Sequence, residues 1–424
     1  MTSACLAKLG HTVVGLDLDK EVVQGLQRGK APLFEPGLDE LLADNIAQNR
    51  LSFTENIARA LKSAEVVWVA LDTPVNDKDI ANITLVEKSI RKILPFLNSG
   101  TLVVISSQAP VGFVGRIEKI VREKYPEKKC LFACAPENLR LGSALDVFLN
   151  PDRIVIGVRD EKDRKAFSPL FSSITSKLEW MRTESAEMTK HAINSFLATS
   201  VCFANEIASL CEQVAADARE VERGMKSESR IGPRAYVGPG MAFSGGTLAR
   251  DIHFLIKLSK TKKLPSYLLK SVDASNAFHK DWILRKCRRL VGVLKKKNVA
   301  ILGLTYKPRT DTLRRSPAIE LAQALRGEGA TVRGYDPAVR RLPGHLAKVL
   351  HLKKNLTEAV GAADLVILAT EWPEFKAFDQ DALRLLRRKL VIDPRGFAMK
   401  QLGTDNAKYF CVGKGTGKRE RERS

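Results

Sequence analysis

Residues 10–29, GHTVVGLDLDKEVVQGLQRG, set the fold class. A short β-branched stretch closes on Asp17 and Asp19, and a helical stretch follows over residues 20–28. The alternation then repeats. An acidic-ended helix is expected over residues 37–48, and the strand VVWVAL (66–71) runs into Asp72-Thr73-Pro74. After a further helix comes TLVVISS (101–107), and after another comes KKCLFACAPE (128–137). Short strands separated by helices predict a parallel sheet whose ligands lie at the strand C-terminal ends.

A second copy of the pattern begins at residues 295–325, KKKNVAILGLTYKPRTDTLRRSPAIELAQAL. A strand over 299–302 enters a glycine turn, and a helix starts after Ser316-Pro317, proline being favoured early in a helix. ATVRGYDP ends its strand at Asp336 and DLVILATEW at Glu371. Between the two units, residues 184–225 have helical period and few breakers. Lys190 and Asn194 lie four apart there, so both project from one face, with Glu187 and Ala198 on the same stripe. The expected fold is α/β: two Rossmann-like doubly wound domains joined by a long central helical region. Expected boundaries are 1–183, 184–290 and 291–412, with a basic disordered tail over 413–424.

Composition narrows the function. The chain has 424 residues, 44% hydrophobic and 28% charged, with no apolar run near the roughly 20 residues of a membrane span. Its opening, MTSACLAKLGH, carries too short an apolar stretch for a signal peptide, so the expected location is cytoplasmic. The seven cysteines are scattered without metal-ligand spacing and read as reduced thiols. The six histidines read as structural, so no metal is implied. Net charge is +21, but the cations are spread along helices without interleaved aromatics. That pattern argues against nucleic acid and membrane partners and suits an anionic small substrate.

An acidic residue closing a strand of a dinucleotide fold holds the ribose hydroxyls of NAD, which makes Asp17 the candidate. A solvent-facing turn aspartate is the plainer alternative. Such a fold opens with a strand and GxGxxG, whose amides approach the pyrophosphate. Here the text begins inside the helix that should follow, so the first strand of the N-terminal sheet is absent from the chain. A start codon assigned too far downstream is the expected cause.

Residues 230–251, RIGPRAYVGPGMAFSGGTLARD, then suggest the chemistry. They resemble the active-site loop of the UDP-glucose/GDP-mannose dehydrogenase family, where GFGGSC is followed four residues after the cysteine by aspartate. Asp251 matches that aspartate, and Thr247 takes the cysteine position. Ala242 and Ser244 stand for turn glycines. CAPENLRLG (134–142) resembles the family's NPEFLREG: Glu137 matches the general base that acts through water, and Leu141 replaces the second glutamate. SSQAPVG (106–112) resembles STVPVG, with Gln108 for the water-holding threonine. Lys307, Thr310, Asp311, Arg314 and Ser316 match GxxFKxxTDDxRES, whereas Thr312 and Arg315 do not. VIDPRG (391–396) matches VIDGRN and places Arg395 at the cofactor or substrate cleft.

The resemblance covers the chain from Met1 to about Arg395, with the pattern nearest to UDP-glucose 6-dehydrogenases. It implies NAD as cofactor in preference to NADP, a nucleotide-sugar substrate and a homodimer built on the central helix. Catalytic candidates are Glu137, Lys190, Asn194, Asp251 and, at the cysteine position, Thr247. Asp17, Thr73, Pro74 and Arg314 are cofactor-binding candidates; Arg230, Lys307 and Arg395 are substrate-binding ones. A thiol adds to an aldehyde and carries it through a second oxidation, which a threonine hydroxyl does not do readily. The expectation is therefore an oxidoreductase limited to one two-electron oxidation. Two alternatives stay open: a diverged enzyme in which Thr247 is an ordinary loop residue, and an inactive nucleotide-sugar-binding paralogue with a structural or regulatory role.

Overall fold

A computed structural model describes residues 1–76, 80–244, 246–402 and 408–414. The chain forms two compact units, Met1–Ile193 and Asn194–Ser424. Residues 415–424, most of the expected basic tail, lie outside the described residues.

The strands of the first unit are β1 (Val13–Leu16), β2 (Leu51–Thr54), β3 (Val66–Val69), β4 (Leu102–Ile105), β5 (Leu131–Cys134), β6 (Ile154–Val158) and β7 (Leu178–Arg182). β1 and β2 form one parallel pair, and β3-β4-β5-β6-β7 form a separate five-stranded sheet. A doubly wound sheet has the order 3-2-1-4-5-6. β2-β1 occupy its first two positions and β3-β4-β5 follow on the other side. Among the described residues no strand joins β1 to β3. β3, β4 and β5 are parallel, but β6 runs antiparallel to β5. Strands covered on both faces carry near-continuous apolar residues, and Val103, Val104 and Ile105 are accordingly buried. Phe113 and Ile117 seal one core cluster, Phe167 and Phe171 another.

The second unit contains β8 (Asn298–Leu302), β9 (Thr331–Tyr335), β10 (His351–Leu352), β11 (Leu365–Leu368), β12 (Leu390–Ile392) and β13 (Lys408–Phe410). Their order, β10-β9-β8-β11-β12-β13, is the full 3-2-1-4-5-6 arrangement, parallel throughout. The turn after β8 needs Gly303. Its φ is +87°, and a Cβ there would lie 2.7 Å from the Thr370 backbone nitrogen.

The helical period of residues 184–225 is divided between two helices. One helix spans Thr183–Val214, and a second spans Ala218–Ser227. Ala215 adopts φ +59°, which ends the first helix, and Asp217 caps the second by accepting from the Arg219 amide at 2.8 Å. No described helix is long and apolar enough to cross a membrane.

Candidate functional site

In the first unit the candidates gather at strand C-terminal ends. β1 presents two aspartates, and hydrogen bonding separates them. Asp19 caps the Lys20–Gln27 helix, accepting from the Glu21 and Val22 amides at 2.9 and 3.3 Å. Asp17 accepts only a local 2.9 Å bond from the Asp19 amide among those resolved, and it remains exposed. An exposed carboxylate at that strand end fits a ribose diol. Thr73, after β3, is buried, and its hydroxyl donates to the Gln108 carbonyl at 2.6 Å, tying the ends of β3 and β4 together. Pro74 is half-buried beside it, and its carbonyl accepts from the Asn82 amide at 2.8 Å.

The loop after β5 carries Glu137, half-buried and accepting from the Thr2 hydroxyl at 2.9 Å. Burial raises its pKa, against the opposing pull of Thr2, the chain's amino group and Lys190. Lys190 reaches the same loop, its Nζ donating to Oδ1 of Asn138 at 3.0 Å. A cavity of about 20 Å³, room for one water, is lined by Ser107, Gln108, Cys134, Glu187, Lys190 and His191. The Ser107 hydroxyl is buried without a hydrogen-bond partner among the described residues.

Two buried carboxylates that the sequence reading did not single out as site residues fix these parts. Glu187 accepts from the amides of Gly112 (2.6 Å) and Val114 (2.9 Å), pinning the start of the Phe113–Lys124 helix to the long helix. Burial raises its pKa despite these bonds. Glu35 accepts from the amides of Gly142 and Ala144, both at 2.6 Å, and so clamps the loop that carries Glu137. Local patterning could not find Glu35, because its partners lie more than a hundred residues away.

In the second unit, Asn194 donates through Nδ2 to Asp251, and both side chains are buried. Thr247 is exposed and precedes the Leu248–Thr261 helix, but its hydroxyl makes no capping bond. Two buried amides brace the preceding turn. Asn205 accepts from the Gly240 amide at 3.0 Å, and Asn276 exchanges two 2.9 Å bonds with the backbone of Phe243. His279 contacts the Gly240 carbonyl at 2.8 Å, and burial lowers its pKa, so it is neutral near pH 7. Sequence reading had left Asn205 and Asn276 unassigned and had taken His279 as structural.

The cationic candidates are more dispersed. Arg230 is exposed and pairs with Glu228 at 3.0 Å. Arg314 is exposed and Lys307 half-buried, its carbonyl accepting from the Thr310 hydroxyl at 2.9 Å. Arg395 lies 3.9 Å from Glu371, and its own carbonyl accepts from Arg219. Asp336 ends β9 much as Asp17 ends β1, yet it is buried and saturated. Its Oδ2 accepts from the Leu304 and Thr305 amides (2.7 and 3.0 Å), the Thr305 hydroxyl (3.0 Å) and the Trp372 indole (3.1 Å). The amides that could cradle a pyrophosphate in this second sheet already hold the chain's own carboxylate. No group of three or more His, Cys, Asp or Glu able to hold a metal occurs among the described residues.

Comparison with known proteins agrees across the whole chain. Three domain models of the UDP-glucose/GDP-mannose dehydrogenase family match: the NAD binding domain over residues 1–175, the central domain over 184–278 and the UDP binding domain over 300–400. A UDP-glucose 6-dehydrogenase from Rhizobium meliloti is 36% identical over 426 residues, covering 98% of this chain and 97% of the relative. UDP-glucose 6-dehydrogenase YwqF of Bacillus subtilis is 32% identical over 418 residues, covering 98% and 95%. Among solved structures, a UDP-glucose dehydrogenase from Pyrobaculum islandicum superposes with TM-score 0.89 at 30% identity, covering 98% and 95% of the two chains. A UDP-D-ManNAc dehydrogenase from Pyrococcus horikoshii shares the fold, with TM-score 0.85 at 24% identity and coverage of 98% and 96%.

Proposed function

Because the chain belongs to the UDP-glucose/GDP-mannose dehydrogenase family, whose cofactor is NAD, we propose that it oxidises a CH–OH group of a UDP- or GDP-sugar and stops after one two-electron step. The observation that carries the limit is Thr247. The loop that should hold a thiol has none, and no cysteine occurs anywhere in residues 212–286. Oxidising an alcohol to a carbonyl requires a base for the hydroxyl proton and a hydride acceptor; oxidising the aldehyde further requires a tetrahedral adduct first. NAD, when bound, supplies the hydride acceptor.

The remaining roles fall to the chain. Asp17 would hold the ribose, with Thr73, Pro74 and Arg314 also on the cofactor. Lys190 and the Asn194–Asp251 pair would hold the water that takes the hydroxyl proton, and Glu137 would act as a general base through water. Lys307 and Arg395, with Arg230, would meet the nucleotide diphosphate, whose oxygens suit ammonium and guanidinium groups. The reaction belongs in the cytoplasm. A homodimer is part of the proposal, supported by exposed apolar residues along the long helix: Phe196 at 72% exposure, Phe203 at 48% and Leu210 at 62%, each seven residues apart.

Gln108, Leu141 and Thr247 together favour a second reading, a binding-only paralogue. One experiment separates the readings. Purified protein is given NAD and a panel of UDP- and GDP-sugars, NADH is read by absorbance, and products are identified by mass spectrometry. One NADH per sugar with a carbonyl product is expected. Two NADH and a uronate would overturn the single-step limit, whereas nucleotide-sugar binding without NADH would establish the binding-only reading.

A further inference from the structure

Lys190 is held by a residue that the family pattern does not provide. In NPEFLREG the residue after the glutamate is phenylalanine, which has no hydrogen-bond acceptor; here it is Asn138. Its Oδ1 lies 3.0 Å from Nζ of Lys190. Only that orientation of the amide works, because the NH2 end would set donor against donor.

Both ends of the contact are fixed from beneath. Asn138 lies on the loop clamped by Glu35 through the Gly142 and Ala144 amides. Lys190 lies on the helix face that Glu187 fastens to the Gly112 and Val114 amides. The meeting of Asn138 and Lys190 is therefore a consequence of two rigid attachments and does not depend on a mobile surface lysine finding a partner.

Resting on the proposed dehydrogenase reading, we infer that Asn138 is a positioning residue: it fixes the Lys190 ammonium beside Glu137 and keeps that amine charged. The physical basis is that an acceptor bonded to the charged form favours it, while burial disfavours it. Titratable neighbours enter the same balance. Glu137 on the loop and Glu187 on the helix favour the cation when ionised. His191, whose Nε2 contacts the Ala109 carbonyl at 3.0 Å, and the Cys134 thiol line the same cavity as Lys190. Asn138 adds an acceptor that carries no charge of its own, so the ammonium is held without a further buried anion.

The test measures Lys190 directly. Competitive acylation of amines in the full-length protein, read peptide by peptide by mass spectrometry across pH, gives the apparent pKa of Lys190. Asn138→Leu removes the acceptor at similar volume, and its Lys190 midpoint should fall by about one unit. Asn138→Asp adds a carboxylate, and the midpoint should rise. Thermal melting checks that each variant is folded; if one is not, the other still tests the sign. Unchanged midpoints, or shifts in the same direction in both variants, would overturn the inference.

The readout is independent of turnover. If the parent protein makes no NADH yet the midpoints move in opposite directions, the positioning role stands and the dehydrogenase reading fails. If the protein turns over but Lys190 does not respond, Asn138 is only a loop residue. In an active enzyme, the alkaline limb of kcat/KM should follow the Lys190 midpoint in each variant.

Discussion

Among single residues, buried ionisable groups cost this chain stability. The pKa values of Glu137 and Glu187 are both raised, with burial the largest cause. A carboxyl whose folded value lies above its unfolded value of about 4.3 stabilises the fold fully only below that value. That contribution is lost as pH rises through the raised folded value. Stability should therefore decline between pH ~4.3 and the raised pKa values, and the two carboxylates should stay strained at neutral pH. Glu137→Gln removes one of them. Melting curves should show a flatter dependence of Tm on pH in this variant, with turnover strongly reduced; an unchanged slope would show that Glu137 ionises without cost. The sequence marked Glu137 through its motif but could not indicate its strain, which comes from burial beneath residues distant in the chain.

Helix boundaries show how far local patterning reaches. Helical period runs through residues 184–225 without a visible break, because periodicity does not register a single backbone reversal. The break at Ala215 rests on one left-handed residue, and the next helix then restarts from the Asp217 cap. The short β-branched strands, by contrast, were readable to within a residue or two at β1, β8 and β9, since strand, turn and helix signals coincide there. Asp217→Ala should lower stability by about 1 kcal/mol through the lost cap, measurable by urea unfolding. A loss well below half of that would show that the bridge between Asp217 and Lys414, and not the cap, holds this junction.

For the whole molecule, the exposed Phe196, Phe203 and Leu210 form a stripe too apolar to suit water, and a two-fold helix pairing would cover it. Light scattering at micromolar concentration should give the mass of two chains, and Phe203→Glu should give one. A monomeric parent protein would remove the dimer from the proposal. The sequence by itself determined the α/β class, the two Rossmann-like halves and the family, because these are written in local period and in motif spacing. Only the tertiary structure decided which strand-end aspartate is available. Asp17 is exposed, while Asp336, ending the same kind of strand, is consumed by donors that include Trp372, 36 residues away. Tertiary structure likewise brought Asn138 to Lys190 and Glu35 to the loop that carries Asn138. Hydrogen bonds between residues 52 and 107 positions apart leave no periodic trace in the chain; they form only once the fold has brought both partners together and partly shielded them from water.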